Sequence, residues 1–438
     1  MDKVVALCKR RGFIYPSSEI YGGISGFWDY GPLGTELKKN IKDEWWKTMV
    51  QLRQDVVGID ASIIMNPKVW EASGHVKAFT DLLIECKTCK KRFRPDHIPG
   101  LINKGEYFNI PGGTLCPTGK HELDVGDVNV KPRTFNLLVE ALLGVTDPKE
   151  KVYLRGEITQ GAFANFQNII DSNRVKIPFG IAQIGKAFRN EITPGNFTYR
   201  SREFEQMELE FFIKPDNEEA EKWFGYWKKQ RMEWYVGLGM TKSKLRFREH
   251  DEKEKAHYAK KAEDVEYEAP FGWSEFEGIH HRGDWDLSRH KLAYKDPDSG
   301  EEYTPWVIET SGGVDRSTLF FLLDAYHQEG DRTILKLHPK LAPYKVGIFP
   351  LVANKENLVN KAREIYNSLV PDLSTAWDDR GNIGKRYASQ DEIGTPFCIT
   401  VDYETMEKDS VTVRERDSAK QERVPIEKIH QYLQKKLL

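Results

Sequence analysis

The chain has 438 residues, more than a single hydrophobic core usually serves, so its length predicts two or more domains. Hydrophobic residues make up 39% and charged residues 30% of the chain, a balance that excludes a disordered or fibrous protein. The formal net charge of −2 gives no overall basic signature, and it neither supports nor excludes binding to RNA.

The absence of targeting features in the sequence predicts a cytoplasmic protein with no membrane partner. No stretch approaches the roughly 20 apolar residues of a membrane span, and the N-terminus lacks the apolar segment of a secretory signal. The five cysteines are odd in number and sparse for the length, so we expect reduced thiols rather than a disulfide framework.

The first 65 residues predict two helices separated by a glycine-rich loop. The first helix is predicted over 2–10, and the second has apolar residues at helical spacing, which predict one buried face. These apolar residues are Leu37, Ile41, Trp45, Met49 and Leu52. A strand is predicted over 61–65, because this apolar run is flanked by Gly58 and Pro67.

The middle of the chain predicts a largely antiparallel sheet with two insertions. Strands are predicted at 152–154, 204–213 and 306–309, and the second of these alternates apolar with polar residues. Residues from about 81 to 150 form short, basic, glycine-containing pieces, which predict an inserted subdomain. A second, helical insertion is predicted at about 218–265 from the periodicity of its charged and aromatic residues.

The last part of the chain predicts a compact α/β domain at 341–438, so the N-terminal domain covers 1–340. Two prolines between 339 and 343 mark the linker, and Asn354 is expected to cap a helix that runs to residue 370. Strands are predicted at 346–352, 375–377, 397–401 and 411–416.

A hairpin rich in arginine is the first candidate functional motif. Residues 188–191 read Phe-Arg-Asn-Glu, and the chain returns from a loop through Arg200 and Arg202. Guanidinium groups donate paired hydrogen bonds to phosphoryl oxygens, so three arginines near one loop indicate a phosphate-rich ligand. A solvated surface turn held by salt bridges is the alternative.

The second motif is the segment 309–316, Glu-Thr-Ser-Gly-Gly-Val-Asp-Arg, which leads from a strand into an apolar helix predicted over 317–325. Paired glycines at such a junction permit close approach of a ligand, and the first turn of a helix favours negative charge. Taken alone, two glycines favour a simple tight turn, so the interpretation depends on the combination with the arginine hairpin.

Together these motifs resemble the second and third signature motifs of class II aminoacyl-tRNA synthetases, and 58–67 resembles the first, which lies at the dimer interface in that class. Segments 65–75, 93–97 and 204–210 are similar to the homodimeric glycyl-tRNA synthetase family, and the resemblance extends to the C-terminal helix. It implies an α+β fold: a class II antiparallel β-sheet catalytic domain flanked by helices, an inserted subdomain, and a C-terminal α/β anticodon-binding domain.

The resemblance also implies the reaction and its partners. The expected enzyme is a homodimeric glycine–tRNA ligase that activates glycine with ATP to glycyl-adenylate. It then transfers glycine to the 3′ end of tRNA(Gly) for protein synthesis.

The resemblance implies Arg189, Glu275 and Arg316 as catalytic residues. Arg189 is expected at the α-phosphate of ATP, Arg316 against adenine and the terminal phosphate, and Glu275 on Mg²⁺, which prefers oxygen ligands. Phe204 is expected to stack on the other adenine face, and Glu191 to read the adenine amino group. The implied ATP-binding set is Arg189, Asn190, Glu191, Tyr199, Arg200, Ser201, Arg202, Glu203, Phe204, Glu275, Phe276, Gly313, Val314, Asp315 and Arg316.

Glycine has no side chain, so its site must hold the ammonium and carboxylate groups and block the space beyond Cα. The family's acids fall on Glu157, Glu208 and Glu309, which suit the ammonium group. Ser311 is expected to close the side-chain space, and Arg94 to face the carboxylate. The implied glycine-binding set is Arg94, Glu157, Phe204, Glu205, Gln206, Met207, Glu208, Glu309, Thr310, Ser311, Gly312 and Gly313.

Cys86, Cys89, Cys116 and His121 resemble the zinc knuckle of some members of the family. A partner cysteine near Gly119 is missing, so zinc would take His121 as its fourth ligand. A decayed knuckle without metal is the alternative, and the missing cysteine favours it.

The C-terminal residues Lys385, Arg386 and Tyr387 are candidates for contacts with RNA phosphates and bases. Two other functions remain open. A non-catalytic synthetase-like subunit that binds nucleic acid is disfavoured because the ATP-binding arginines are retained. A synthetase for serine, threonine or proline would share the ATP motifs, and the three acids with Ser311 distinguish it.

Overall fold

The structure is a computed structural model that describes residues 1–95, 98, 100–103, 108–123, 129–131, 133–251 and 259–437. Asp96 and His97 of the segment 93–97, and residues 252–258 of the predicted helical insertion, lie outside the described residues. Across the part that is described, no helix combines the length and apolar character needed to cross a bilayer.

A seven-stranded sheet forms the centre of the N-terminal part. Its strands are β1 (Val56–Ile59), β2 (Phe179–Phe188), β3 (Glu203–Ile213), β4 (Leu245–Glu249), β5 (Lys261–Ala269), β6 (Gly272–Gly283) and β7 (Trp306–Gly313). They lie in the order β4-β5-β6-β7-β3-β2-β1. The edge strand β1 runs parallel to β2, and the other neighbours are antiparallel. The predicted α+β fold with an antiparallel sheet is therefore confirmed.

Alternation along β3 places its residues on two chemically different faces of the sheet. Met207, Leu209 and Phe211 are fully buried in the main hydrophobic core. Their neighbours Gln206 and Glu208 lie on the opposite face, which carries the polar groups of the site described below.

Three helices contribute apolar residues to the main core on one face of the sheet: Pro32–Trp46, Asn217–Gly237 and Val314–Ala325. The predicted apolar stripe of the first of these is buried as far as Met49, whereas Leu52 is 71% exposed. The prediction was wrong at Leu52 because the α-helix ends at Trp46 and a π-helical turn follows, which changes the residue spacing.

The other elements of the N-terminal part are short. The helices are Asp2–Arg11, Pro67–Ala72, His75–Ala78, Thr159–Ala164, Phe166–Ser172 and Trp285–Arg289. The strands are Ile14–Pro16, Trp28–Tyr30, Thr80–Glu85, Arg92–Phe93, Ile102–Asn103, Phe108–Asn109, Asn129–Val130, Arg133–Asn136, Val139–Leu143, Glu150–Leu154, Tyr294–Lys295, Glu302–Tyr303, Tyr326–Glu329 and Arg332–Leu335.

The predicted helical insertion at 218–265 is wrong beyond Gly237. The described residues after the helix Asn217–Gly237 include β4 and most of β5, which belong to the central sheet. Their charged residues pair across the two strands, as Arg246 does with Glu266 at 2.6 Å. This cross-strand pairing lets β4 and β5 carry a high charge content, which resembles a solvated helix in sequence.

The strand predicted over 61–65 lies earlier in the chain, at β1. Gly58 was taken as a boundary, but it lies inside β1. A glycine is needed there because a Cβ at this position would lie 2.2 Å from the ring of Trp46. The residues near 152–154 pair with Val139–Leu143 in a two-stranded sheet rather than joining the central one.

Between β1 and β2, the described residues of the predicted insertion have a small core of their own. Its buried members are Ile84, Cys86, Phe93, Ile98, Phe108, Ile110, Cys116 and Leu123. The strand Thr80–Glu85 pairs with Arg133–Asn136, which brings the two ends of this segment together.

A five-stranded sheet forms the centre of the C-terminal part, with its own core. Its strands, in spatial order, are Thr375–Trp377, Val346–Pro350, Phe397–Val401, Ser410–Glu415 and Gln421–Pro425. Its helices are Glu356–Leu369, Ile383–Ile393, Tyr403–Lys408 and Ile429–Leu437. The N-cap of the first of these helices is Lys355, so the predicted cap at Asn354 is wrong.

Candidate active site

A cleft opens over the polar face of β3, β6 and β7, and it brings most of the predicted site residues together. The predicted ATP-binding residues that line it are Arg189, Glu191, Tyr199, Arg200, Ser201, Phe204, Glu275, Phe276, Gly313, Asp315 and Arg316. The predicted glycine-binding residues that line it are Glu157, Phe204, Glu205, Gln206, Glu208, Glu309, Ser311 and Gly313. The two predicted sets therefore occupy one cleft.

The other members of the two sets are not among the described residues that line the cleft: Arg94, Asn190, Arg202, Glu203, Met207, Thr310, Gly312 and Val314. Strand alternation turns Met207 and Thr310 to the face opposite Glu208 and Glu309. Arg94 lies in the inserted segment, where it donates to Asp81 at 2.7 Å.

Three carboxylates form one end of the cleft, which we call the acid end: Glu157, Glu208 and Glu309. The antiparallel register places Glu208 opposite Ser311, two residues from Glu309 on β7. Glu157 comes from the loop after the strand Glu150–Leu154. All three residues are more than nine-tenths buried, with exposures of 7%, 2% and 3% in chain order.

Glu208 is surrounded by neutral donors. Thr159 Oγ1 donates to Glu208 Oε2 at 2.6 Å, while Gln206 Nε2 and Ser311 Oγ donate to Oε1 at 2.7 Å and 2.5 Å. Burial raises the pKa of Glu208 to about 7, with a further contribution from the negative charges of Glu309 and Glu157. This carboxyl group therefore exchanges its proton near neutral pH.

Glu309 is held by two cationic groups. Arg282 Nη1 donates to Glu309 Oε2 at 3.0 Å, and His280 Nδ1 donates to the same oxygen at 2.8 Å. Burial opposes ionisation, but Arg282 and His280 outweigh it and lower the pKa of Glu309 to about 2. Glu309 is therefore a fixed negative charge.

Glu157 is the second fixed charge of the acid end. His75 Nε2 lies 3.2 Å from Glu157 Oε1, and Gln160 Nε2 donates to the same oxygen at 3.3 Å. Burial again opposes ionisation, but the charges of His75, Arg282 and Arg189 lower the pKa of Glu157 well below its usual range.

Arg189, Arg200 and Arg316 line the part of the cleft that we call the arginine end. The guanidinium of Arg189 lies between the rings of Phe79 and Phe204, 5.2 Å and 5.3 Å from their centroids. Its Nε donates to the carbonyl of Gly156 at 3.0 Å, which fixes the plane of the group. In this structure Phe204 therefore stacks against an arginine.

Arg316 and Glu275 form an ion pair at the arginine end. Arg316 Nη1 donates to Glu275 Oε1 at 3.0 Å, and the guanidinium lies 4.5 Å from the ring centroid of Tyr199. The side chain of Glu275 is 46% exposed. Crowding by neighbouring groups opposes its ionisation, but Arg316 outweighs this effect and lowers the pKa of Glu275 to about 2.

Asp315, in the segment 309–316, is hydrogen-bonded to the strand that follows the arginine hairpin. Its Oδ1 accepts hydrogen bonds from Tyr30 at 2.5 Å and from Lys38 at 2.8 Å, and its Oδ2 accepts from the backbone N–H of Glu205 at 2.6 Å. These contacts tie the start of the helix Val314–Ala325 to β3, so this predicted ATP-binding residue holds the cleft wall in place.

Comparison with known proteins decides the family. A family model described as "tRNA synthetase class II core domain (G, H, P, S and T)" matches residues 139–326, and one described as "Anticodon binding domain" matches residues 345–436. The glycine–tRNA ligase of Borreliella burgdorferi strain B31 is 50% identical to the chain, over 100% of the chain and 98% of that protein.

Two further relatives give the same result. The glycine–tRNA ligase of Treponema denticola is 50% identical over 97% of the chain and 94% of that protein. The glycine–tRNA ligase of Thermobifida fusca is 47% identical over 100% of the chain and 98% of that protein.

The chain belongs to the glycine–tRNA ligase family. The predicted class II synthetase core, the C-terminal anticodon-binding domain and the aminoacyl-tRNA ligase activity are therefore confirmed. All the residues that line the cleft, from Glu157 to Arg316, lie within the matched class II core.

Sequence reasoning missed several residues of this ligase's cleft. His280 lies on β6 and lines the acid end, and Arg282 holds Glu309 from the same strand. No sequence signal identified them, because alternation from the predicted Glu275 does not reach either residue, and their place beside Glu309 depends on the register between β6 and β7. Asp264 and His250, which are 2.6 Å apart, were missed because their region was read as a helix.

The four predicted zinc ligands lie together in the inserted segment. Cys86 Sγ lies 3.2 Å from His121 Nε2, and Cys89 Sγ lies 3.8 Å from Cys116 Sγ. One ligand atom from each residue lies within 4.8 Å of the other three. Although burial opposes it, hydrogen bonds from backbone groups and from His121 lower the pKa of Cys86 to about 6. This arrangement favours a thiolate.

Arg386 in the C-terminal part is not an exposed RNA contact as expected. It is 1% exposed, and its guanidinium donates to the carbonyl oxygens of Asp379, Arg380 and Gly381. Arg386 therefore holds the loop before the helix Ile383–Ile393.

Proposed function

We propose that the cleft binds glycine at the acid end and ATP at the arginine end, and that it joins them as glycyl-adenylate. The observation that carries the proposal is the excess of negative charge at the acid end, where the three buried carboxylates of Glu157, Glu208 and Glu309 line one part of the cleft. An ammonium group is the ligand that such a space favours.

The distribution of charge explains why an ammonium group fits. Glu157 and Glu309 each have a close nitrogen donor, His75 Nε2 at 3.2 Å and Arg282 Nη1 at 3.0 Å respectively. Glu208 has hydroxyl and amide donors instead, and its pKa of about 7 reflects an uncompensated site. The ammonium of glycine supplies the missing positive charge, and Ser311 narrows the space beyond the substrate Cα.

The arginine end suits the phosphates of ATP. A carboxylate oxygen of glycine attacks the α-phosphorus, a new O–P bond forms, and the bond to pyrophosphate breaks with its electron pair on the leaving group. Arg189, fixed between two rings, stabilises the charge on the phosphoryl oxygens. Arg316 and Tyr199 hold the adenine and the terminal phosphate. Positioning and electrostatics suffice, so no protein nucleophile is needed.

Glu275 fits the expected magnesium ion, because it offers an exposed carboxylate oxygen at the phosphate end of the cleft. When bound, Mg²⁺ neutralises charge on the pyrophosphate that leaves. Arg316 already donates to Glu275 Oε1 at 3.0 Å, so Glu275 would share its carboxylate between Arg316 and a bound ion.

In the second step, the hydroxyl of the terminal adenosine of tRNA(Gly) attacks the carbonyl carbon of the adenylate. An ester bond forms, and AMP and a proton are released. We propose that the C-terminal five-stranded part contacts the anticodon, and that the enzyme acts as a homodimer in the cytoplasm. Elution of the purified protein at twice the mass of one chain would support the dimer.

We also propose that Cys86, Cys89, Cys116 and His121 hold a structural zinc ion, which reverses the preference for a decayed knuckle. Tetrahedral zinc with bonds of about 2.3 Å to sulfur requires sulfur atoms about 3.8 Å apart. The spacing of Cys89 and Cys116 fits this requirement. Elemental analysis of the purified protein should give about one zinc per chain, and Cys116→Ser should reduce it. A metal-free protein with normal stability would contradict this proposal.

Exchange of labelled pyrophosphate into ATP tests the main proposal. We expect exchange with glycine but not with serine, threonine or proline, and a loss of about 10²-fold or more in Arg189→Ala. Exchange with another amino acid would favour a different synthetase, and no exchange with any amino acid would favour the non-catalytic subunit.

A further inference from the structure

We propose that His280 is a specificity-determining residue of the glycine pocket. Its imidazole occupies the space that a larger substrate side chain would need, and it holds Glu309 in place. This inference rests on the proposed function, because it assigns a role within the same cleft.

The sheet register brings His280 to the pocket. His280 on β6 is opposite Glu309 on β7, and Gly278 is opposite Ser311. All four residues line the cleft. Residues two apart on a strand share a face, so His280 and Gly278 lie side by side across from the acid and the serine.

The imidazole lies over Gly278. A Cβ added at Gly278 would be 2.5 Å from His280 Cε1 and 2.9 Å from Nε2, closer than unbonded atoms can approach. The ring therefore occupies the volume above a residue without a side chain. In this position it covers the cleft floor next to Ser311, where the Cα substituent of an amino acid bound by its ammonium would lie.

The hydrogen bonds of Glu309 fix the ring in this position. His280 Nδ1 donates to Glu309 Oε2 at 2.8 Å, and the His280 side chain is only 16% exposed. Arg282 donates to the same oxygen at 3.0 Å, and Asp286 accepts from Arg282 Nε at 2.8 Å. A ring that is held at one edge and packed against the floor cannot move aside cheaply to admit a larger substrate.

The selection of glycine over larger amino acids in this pocket then depends on two side chains of different size, Ser311 and His280. Ser311 is a small polar group, whereas His280 fills the volume of a five-membered ring. Discriminating one methyl group by pocket shape is worth roughly 10- to 200-fold. Removal of the ring should therefore release most of the discrimination against alanine, whose methyl group is the smallest addition to glycine.

Two substitutions separate the roles of His280. His280→Ala removes both the ring and the hydrogen bond to Glu309, whereas His280→Asn places an amide donor near the position of Nδ1 and removes the rest of the ring. His281→Ala is the matched control, because this neighbouring ring lies on the other side of β6 and packs against Trp306 with centroids 5.2 Å apart.

The experiment measures pyrophosphate exchange with glycine and with alanine, and it compares the ratio of kcat/KM values. We expect the ratio of alanine to glycine to rise by about tenfold or more in both His280 variants. His280→Asn should retain a glycine KM closer to the wild type than His280→Ala does, and His281→Ala should keep the wild-type ratio.

An unchanged ratio in both His280 variants would overturn the inference, as would an equal rise in His281→Ala. The glycine arm with the unmodified enzyme tests the proposed function separately, because it does not depend on His280. The ratio is measured on active enzyme only, so a loss of folded protein in one variant does not imitate the effect.

Discussion

The acid end and the arginine end of the cleft differ in how completely they are assembled without substrate. At the acid end, the three carboxylates are almost fully buried, and each has donors within hydrogen-bond distance. At the arginine end, Arg316 and Glu275 retain 27% and 46% side-chain exposure and are paired with each other. In the proposed function, glycine meets a preformed site, whereas ATP replaces the contact between Arg316 and Glu275.

The difference follows from the elements that build each end. Glu208 and Glu309 project from two paired strands, whose register fixes their separation. Arg200 and neighbouring residues come from the loop between β2 and β3, in which Asn196 and Phe197 have positive φ values of 53° and 60°. Selection of the smallest amino acid requires a rigid site, and a large nucleotide can shape a looser one.

The largest expected effect concerns the buried ion pair of Arg231 and Glu277, whose carboxylate lines the cleft. Arg231, which is fully buried, donates to both oxygens of Glu277, and Tyr235 donates to the same carboxylate at 2.5 Å. Arg231→Leu should lower the free energy of unfolding by about 3–5 kcal/mol, because it leaves a buried charge without its partner. Chemical denaturation measures this change.

The control for Arg231 is the exposed pair of Lys176 and Asp298. Lys176→Ala should change the free energy of unfolding by less than about 1 kcal/mol. If the two substitutions lowered the free energy of unfolding equally, the buried pair of Arg231 and Glu277 would not stabilise the cleft as proposed.

The second prediction breaks the acid end. Glu309→Gln should lower kcat/KM for glycine by about 10²-fold, because it removes a fixed charge and breaks one of the two ion pairs of the buried Arg282. Pyrophosphate exchange measures the loss. Glu301→Gln, at an exposed carboxylate paired with Lys214, should have no effect. Normal activation of glycine by Glu309→Gln would remove the basis for ammonium binding.

The third prediction disturbs the arginine end alone. Glu275→Gln should raise the Mg²⁺ concentration needed for half-maximal exchange by at least about tenfold, which is the scale of change seen for partners of metal ligands. The KM for glycine should stay the same, because among the described residues Glu275 contacts Arg316 and Asp264 rather than the three acids. Equal changes for Mg²⁺ and glycine would indicate that the two ends are not independent.

The smallest expected effect is a dependence of glycine binding on pH. An ammonium group favours the ionised form of Glu208, whose pKa without substrate is about 7, so binding releases a proton. The KM for glycine should fall by up to about tenfold per pH unit as pH rises toward 7, and it should level off above 7. A KM that is flat between pH 6 and pH 8 would contradict this assignment.

The same raised pKa has a defined effect on folding. A carboxyl group whose pKa is higher in the folded state binds its proton more tightly there, so its contribution to stability is greatest at low pH. That contribution is lost as pH rises from the unfolded value of about 4.3 to about 7.

The sequence predicted the membership of the acid end but not its chemistry. Motif resemblance identified Glu208, Glu309 and Ser311, because each lies in a segment with a recognisable order of residues. The cross-strand partners His280 and Arg282 were missed, since the register between β6 and β7 is a property of the folded sheet. Nothing in the chain order indicates which acid receives a cationic neighbour.

The errors in predicting the fold from the sequence have a similar origin. Strands β4 and β5 were read as helix because they are rich in charged residues, which the fold pairs with each other across the two strands. The strand β1 was displaced because Gly58 serves close packing against Trp46 instead of ending the element. Both features depend on contacts between residues that are distant in sequence, which single-sequence patterns do not reveal.

The most direct test of the account is the charging of tRNA by the purified protein with labelled glycine, serine, threonine or proline, followed by identification of the charged species. We predict that glycine alone is esterified, to tRNA(Gly), in a reaction that requires ATP. Charging with a different amino acid, or no charging of any tRNA, would contradict the assignment of the acid end as a glycine site.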